Sequence, residues 1–297
     1  DLASTIRCEG QSDIRIEGLE IRGGRYGIDL QNSTNVTIQK CNIVNSSLRS
    51  VNIADCSNVK VRMNDITENP TRRNMGSGFG GVSEKAKAIM FGWSLNKNYS
   101  VSGLPAPTGH AIEIAGVSKN ILIEKNRMYK RSGGIGWGSG FDPHIINATI
   151  KDNHFERMDS MGIAIYNRAD GVIQNNIFKE VHLNLRIQDM MEGSLMDDLD
   201  NLVKIIGNSF IAEENAGYLM QAHYAGKLGP YKWTTPILFA DNTVRNVSTF
   251  IANLLGFADV ICENNILDFT NGYSAALVIH GMESFAGNWV GGNAEAI

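Results

Sequence analysis

The sequence predicts an all-β protein, a single-stranded parallel β-helix of about ten or eleven coils. Three observations predict this fold. A six-residue phrase returns at a near-constant interval. Period-two runs of β-branched residues fill the intervals. No interval carries an amphipathic helix of ten or more residues. A fixed period in the low twenties marks a solenoid, in which each repeat buries its apolar face only by stacking on its neighbours.

The phrase reads apolar, any, any, Asn, any, apolar. It spans Val61 to Ile66, Ile123 to Met128, Ile150 to Phe155, Ile173 to Phe178 and Ile205 to Phe210, then Phe239 to Val244, Cys262 to Leu267 and Phe285 to Val290. The asparagines are Asn64, Asn126, Asn153, Asn176, Asn208, Asn242, Asn265 and Asn288. Two earlier copies, Ile16 to Ile21 and Ile38 to Ile43, place Leu19 and Cys41 in the Asn slot. Successive slots are 22, 23, 62, 27, 23, 32, 34, 23 and 23 residues apart. Runs such as Val36-Thr37-Ile38 and Ile121-Leu122-Ile123 read as strands. A leucine-rich repeat would need leucines at fixed positions, and they are absent. A side-chain amide both donates and accepts, so asparagines stacked coil above coil can bond one another and the turn backbone. Asn also tolerates the left-handed conformation of a tight corner.

This coil pattern resembles the right-handed parallel β-helix proteins of the pectate lyase-like type, from about Ile14 to Val290. The resemblance implies a right-handed solenoid and carbohydrate chemistry, without naming a reaction.

A continuous repeat over 297 residues argues for one elongated domain, 1–297. Formal net charge is −4, from 27 basic and 31 acidic residues, which excludes a surface built to coat nucleic acid. No stretch is long and apolar enough for a transmembrane span, and the first residues lack a signal-peptide pattern. The chain opens at Asp1 almost directly into a coil, where a β-helix would be expected to carry a cap, so a processed or excised start is expected. Cys8, Cys41, Cys56 and Cys262 show no metal-ligand spacing and read as buried free thiols. Asn-x-Ser/Thr sequons at Asn32, Asn35, Asn45, Asn98, Asn147 and Asn246 are expected by chance in so Asn-rich a chain.

Three intervals exceed one coil and hold loop insertions near 67–108, 190–202 and 224–233. The first, Thr67 to Thr108, contains Met75-Gly76-Ser77-Gly78-Phe79-Gly80-Gly81, Trp93 and Tyr99. The second includes Asp197, Asp198 and Asp200; the third runs from Tyr224 to Trp233 and includes Tyr231. Loops on a rigid scaffold are where function concentrates. Their rings can stack on sugars or fold back over the loop's own small core.

A second apolar pair per coil aligns as Ile28/Leu30, Val51/Ile53, Ile112/Ile114, Ile135/Trp137, Ile163/Ile165, Leu185/Ile187, Leu219/Met220, Phe250/Ala252 and Leu277/Ile279. The residue between each pair points outward, because strand side chains alternate. That column reads Asp29, Asn52, Glu113, Gly136, Ala164 and Arg186, followed by apolar residues. Gly136 and Ala164 thus form an open floor between Glu113 and Arg186, and three inter-strand steps span about 14 Å. Gly136→Trp is expected to block this floor and leave the fold intact. Beyond it come Asp142, His144, Tyr166, Arg168, Asp189, His223 and Tyr224. A guanidinium neutralises a carboxylate, and His, Tyr or Asp can move a proton. The candidate catalytic residues are Glu113, Asp142, His144, Tyr166, Arg186 and Asp189. The candidate substrate-binding residues are Gly136, Trp137, Arg168, His223, Tyr224 and Trp233. The floor column has no Asp cluster of the calcium-binding kind, so no metal or cofactor is assigned. The acidic 190–202 loop is read as solvated, with a cation site as the alternative.

Gly140-Phe141-Asp142-Pro143-His144 resembles the Asp-Pro-His motif of mannuronan C5-epimerases, and the resemblance implies catalytic roles for Asp142 and His144. Here Gly134-Ile135-Gly136-Trp137 takes the strand slot, the motif falls in a longer turn after it, and Tyr166 stands where that family has a carboxylate. Gly134 to Gly138 is similar to the Gly-Trp-Gly coil of secreted bacterial β-helix glycoside hydrolase-like proteins. The leading function is a polysaccharide lyase, glycoside hydrolase or epimerase. A hydrolase would use two carboxylates, Glu113 with Asp142 or Asp142 with Asp189. The alternatives are the glycan-binding, homotrimeric shaft of a phage tailspike or adhesin, and a structural spacer. The polysaccharide readings place the protein outside the cell, on a cell surface or on a phage particle.

Overall fold

The computed structural model describes residues 4–67, 110–131, 133–166, 169–189, 203–213, 218–224, 237–247, 249–252, 260–269, 275–277, 282–292 and 294–296. Its coils each contribute up to three short strands, and every strand pairs in parallel with its counterpart one coil away. The first coil is β1 (Ile6–Glu9), β2 (Arg15–Glu17) and β3 (Glu20–Arg22). The second is β4 (Tyr26–Gln31), β5 (Thr34–Gln39) and β6 (Asn42–Val44), and the third β7 (Arg49–Ala54), β8 (Ser57–Arg62) and β9 (Asp65–Thr67). Strands then merge across corners in β10 (His110–Glu124), β12 (Gly133–Lys151), β13 (His154–Tyr166) and β15 (Ile177–Asp189), with the shorter β11 (Arg127–Tyr129) and β14 (Ala169–Gln174) among them. The solenoid continues through β16 (Val203–Ile206), β17 (Ser209–Ile211), β18 (Tyr218–Tyr224), β19 (Ile237–Ala240), β20 (Thr243–Arg245) and β21 (Thr249–Ala252). It closes with β22 (Val260–Glu263), β23 (Ile266–Phe269), β24 (Ala275–Leu277), β25 (Met282–Ser284), β26 (Trp289–Gly292) and β27 (Ala294–Ala296). The expected parallel β-helix is the fold. Among the described residues no helix is long and apolar enough to cross a membrane.

The apolar phrase positions fill the interior. Ile38, Val61, Ile123, Ile150, Ile173, Ile205 and Phe239 are fully buried. Phe155 stacks on Phe178 with ring centroids 4.6 Å apart, and Phe178 on Phe210 at 4.7 Å. These separations match the inter-strand spacing of about 4.8 Å, because one position recurs in each coil.

The slot asparagines form one continuous ladder. Asn64 Nδ2 donates to Asn126 Oδ1 at 2.9 Å, and the pattern repeats through Asn153, Asn176, Asn208, Asn242 and Asn265 to Asn288. Each Nδ2 also donates to a strand carbonyl of the preceding coil, as Asn176 does to Ile150 at 2.9 Å. Each Oδ1 additionally receives the backbone N–H of the slot below, as Asn176 does from Asn153 at 2.9 Å. Cys41 ends the ladder by giving its backbone N–H to Asn64 Oδ1 at 2.9 Å, whereas Leu19 is exposed and takes no part. One expectation is corrected. The left-handed residue at this corner is not the Asn but the residue before it: Lys40, Met63, Lys125, Asp152, Asn175, Gly207, Asp241, Asn264 and Gly287 all have φ between 52° and 68°. Asn occupies the slot for its amide rather than for its backbone freedom.

A second ladder runs on the outside, six residues before each slot. Asn147 Nδ2 donates to Asn120 Oδ1, Asn120 to Asn58, Asn58 to Asn35 and Asn35 to Asp13, at 2.9 to 3.1 Å. These residues themselves have positive φ, from 56° to 58°. The amides donate toward the first coil here and toward the last coil in the inner ladder, so the two columns of dipoles oppose each other.

The four cysteines are buried free thiols, as expected, and burial pushes the Cys262 thiol up to about 12. The insertion stretches 68–109, 190–202 and 225–236 lie outside the described residues, with Asp197, Asp198 and Asp200 among them.

Candidate functional site on the first sheet

The first sheet takes one strand segment from each coil, and its outer column is set by register. Asp29 pairs with Asn52, Asn52 with Glu113, Glu113 with Gly136, Gly136 with Ala164 and Ala164 with Arg186. The sequence alignment gave this order. Past Arg186 it needs correction: Leu185 pairs with Met220 and Ile187 with Ala222, so Gln221 follows Arg186 in the column, and Ile251 comes next. An irregularity between Tyr218 and Met220 causes the one-residue slip, leaving Leu219 buried beside Met220.

The column faces away from the core, yet it is not open. Asp29 is 1% exposed, Glu113 2%, Asn52 4%, Arg186 5% and His110 8%. Gly136 does not provide a bare floor. A Cβ there would sit 2.5 Å from Glu113 Oε2 and would collide with the His110 ring. A Cβ at Gly133 would lie 2.7 Å from His110 Nδ1. The two glycines make room for side chains from the neighbouring coil, so Gly136→Trp would break this packing rather than block an empty dish.

Around these residues runs a chain of polar contacts. Arg49 Nε lies 3.6 Å from Glu113 Oε2, and Arg49 Nη1 donates to Asn52 Oδ1 at 2.8 Å. Asn52 Nδ2 donates to Asp29 Oδ1 at 2.8 Å, and Gln31 Nε2 to Asp29 Oδ2 at 3.1 Å. Arg131, fully buried, donates from Nη1 to Ser50 Oγ at 3.1 Å. Arg186 Nη1 reaches Met161 Sδ at 3.7 Å. Arg49 keeps access to water, its side chain a quarter exposed. Burial holds the His110 imidazole below its ordinary pKa of 6.5; Glu113 opposes that shift, while Arg49, Arg131 and Arg186 add to it. The imidazole is thus kept neutral and can accept a proton.

Of the residues proposed from sequence, Glu113, Gly136 and Arg186 share this column. Trp137 does not join them: it is fully buried in the core, because it is the inward partner of Ile135, and its ring cannot meet a ligand. Asp142 and His144 fall within β12 rather than in a turn. Ala115 pairs with Ser139 and Val117 with His144, so Asp142 sits in a bulge of the strand. Tyr166 pairs with Gln188, Gln188 with His223 and Asp189 with Tyr224, which puts Tyr166, Gln188 and His223 in one row at the end of the first sheet. The side chains of Asp142, His144, Tyr166, Asp189, His223 and Tyr224 are outside the described set, as are Arg168 and Trp233 altogether. The residues the sequence reading missed are His110, Arg49 and Arg131. His110 lies three positions before Glu113 and two before Ile112, so strict alternation assigns it to the inward face; the alternation breaks at Ala111, and nothing in the apolar pattern signals that break.

A family described as the right-handed β-helix region matches residues 4–178. No curated protein matches the chain in sequence. Among solved structures, the chain is similar to a hyperthermoactive exopolygalacturonase from Thermotoga maritima, at 14% identity and a TM-score of 0.53, covering 91% of this chain and 54% of that one. It is also similar to PfbA, a surface adhesin of Streptococcus pneumoniae, at 15% identity and a TM-score of 0.53, covering 98% and 70%. The chain spans about half the length of the exopolygalacturonase, and both likenesses are likenesses of fold.

Proposed function

The chain belongs to the right-handed β-helix family, and on that scaffold we propose that it binds an acidic polysaccharide at the first sheet and removes a proton beside the sugar carboxylate. One observation carries this reading. Glu113, His110, Arg49 and Arg186 are gathered on the outer face of a solenoid sheet, where ordinary side chains would be solvated. Burying charge is costly unless the group is paired, and strongly perturbed ionisable groups cluster at functional sites.

The chemistry follows from the groups. Arg49 and Arg186 suit a uronate carboxylate, because a guanidinium binds a carboxylate through two parallel hydrogen bonds. Neutralising that carboxylate acidifies the adjacent C–H. The neutral His110 takes the proton, and Glu113 fixes Arg49. Loss of the substituent at the neighbouring carbon then makes the protein a lyase; return of a proton to the opposite face makes it an epimerase. His144, Tyr166 and Asp142 are the candidates for the returning or departing proton. A surface or extracellular setting fits a polysaccharide ligand. In the fold neighbours' own names, one is an exopolygalacturonase and the other a surface adhesin.

The test is a panel of polygalacturonate, alginate, hyaluronan and chondroitin sulfate, followed by ultraviolet absorbance of unsaturated product and by deuterium exchange at the carbon beside the carboxylate. Product or exchange that falls at least a hundredfold in Arg186→Ala and His110→Gln supports the proposal. Binding without product or exchange would assign the protein to glycan-binding shafts instead. Absence of binding to every member of the panel would sink it.

A further inference from the structure

We propose that Trp289 is a stacking platform for a neutral pyranose, on the outer face of the third sheet. The proposal does not rest on the first-sheet cluster, which lies on a different face of each coil.

Trp289 begins β26 and is 55% exposed. It pairs with Ile266, which is 46% exposed, and Ile266 pairs with Thr243. The next outward column holds Arg245, Asp268 and Gly291, in register one coil apart. The indole lies along the strand over Gly291. A Cβ at Gly291 would stand 2.7 Å from Cζ2 and closer still to Cη2. Only a residue without a side chain lets the ring lie down there. The exposure is not an effect of position along the solenoid. Ile266, in the same column, has a paired strand on both sides and is still 46% exposed, so outward positions of this sheet stay open within the solenoid.

The dimensions select the ligand. Trp289 and Ile266 are two exposed apolar side chains bordered by charge, far short of the roughly 800 Å² per partner that a stable protein interface buries. One flat ring bordered by a carboxylate suits one flat sugar. A pyranose with equatorial hydroxyls presents an axial C–H face to an indole, and aromatic side chains supply large, rigid, amphipathic contact area. Its ring-edge hydroxyls can donate to the Asp268 carboxylate one coil away, a charge-assisted hydrogen bond. A neutral sugar is favoured over a uronate because Asp268 stands one coil from Gly291 and Arg245 a coil further off, so a uronate carboxylate on the ring would meet the acid before the base.

The experiment is calorimetric titration and intrinsic fluorescence with cellohexaose and xylohexaose as probes. At least one probe should bind the parent and shift the tryptophan emission. Trp289→Ala should weaken that binding at least tenfold, and Trp289→Phe should restore part of it. Gly291→Val, which props the ring off the sheet, should weaken it as well while the thermal melt stays near that of the parent. Failure of both probes to bind the parent, or unchanged affinity in Trp289→Ala, would overturn the proposal. The first-sheet reading is tested with acidic polymers and stands or falls separately.

Discussion

Asn176 shows how much a single ladder position carries. Its Oδ1 receives two hydrogen bonds from Asn153, and its Nδ2 gives two, to Ile150 O and Asn208 Oδ1. Asn176→Leu keeps a similar volume but strands those partners in a dry interior. Because an unsatisfied buried polar group costs about 1–3 kcal/mol, the variant should lose about 3 kcal/mol in a denaturant titration. Asn208→Asp should hurt for a different reason. Its carboxylate still accepts from Asn176 but can no longer donate to Asn242. His110 is the other residue whose surroundings dictate an outcome. Burial lowers its folded pKa below 6.5, so the unfolded chain takes up the proton first as pH falls. Stability is therefore full above that value and declines below it. His154, also lowered by burial, adds to the same window. Glu17 acts elsewhere: bonds from Gln39, Arg15 and Lys40 hold it at about 2 against an ordinary 4.5, so its contribution fades only between those values. Melting temperatures between neutral pH and pH 5 should fall in the parent and fall less in His110→Gln. An identical slope in that variant would mean that folding leaves the His110 pKa unchanged.

At the scale of the strand, the first-sheet column is a packed unit rather than a surface. Gly136→Ala places a methyl group against Glu113 Oε2 and the His110 ring. Overpacking of this kind typically costs about 1–3 kcal/mol, and here it also displaces both ionisable groups. Gly136→Ala should therefore lower both stability and any turnover, whereas Ala164→Gly, which removes a methyl rather than adding one, should retain most of the turnover; equal activity in Gly136→Ala would show that His110 and Glu113 do not act from these positions. The same strand explains what could and could not be read beforehand. Alternation told which residues face outward, so Asp29 through Arg186 could be placed in order from apolar pairs alone. It carries no information on whether an outward face is covered, so the burial of Glu113 and Arg186 was invisible. The bulge that absorbs Asp142 was misread as a turn because Ser139 to His144 holds Gly140 and Pro143, ordinary turn residues. The outer ladder was legible and overlooked: Asp13, Asn35, Asn58, Asn120, Asn147 and Asp170 each stand six residues before a slot.

For the whole molecule, the consequence of one-coil periodicity is that a coil can be removed. Residues 154–176 run from just after one ladder asparagine through the next, a stretch of 23 residues. Joining Asn153 to Ile177 lets β15 replace β13 against β11, since His154 and Ile177 occupy the same register position. Phe178 then takes the place of Phe155 next to Met128, and Asn153 meets Asn208 in the ladder. Each contact is renewed with the next coil of the same kind, because solenoid stability is a sum of repeats and nearest-neighbour interfaces. The shortened chain should melt in one cooperative transition within a few degrees of the parent. Removing one residue more, 154–177, shifts the third-sheet strand by one position and turns Phe178 outward, because side chains alternate with period two. That variant should lose its cooperative melt and bind hydrophobic dye. Retention of a sharp transition in both would show that register is not what holds the coils together. The excision also moves Arg186 one step nearer Glu113, from three inter-strand spacings to two, about 14 Å to about 10 Å. If Arg186 holds a sugar and His110, beside Glu113, takes its proton, the 23-residue deletion should stay folded yet lose activity toward any acidic polysaccharide the parent accepts. A folded, fully active deletion would instead place the chemistry outside the stretch between Glu113 and Arg186.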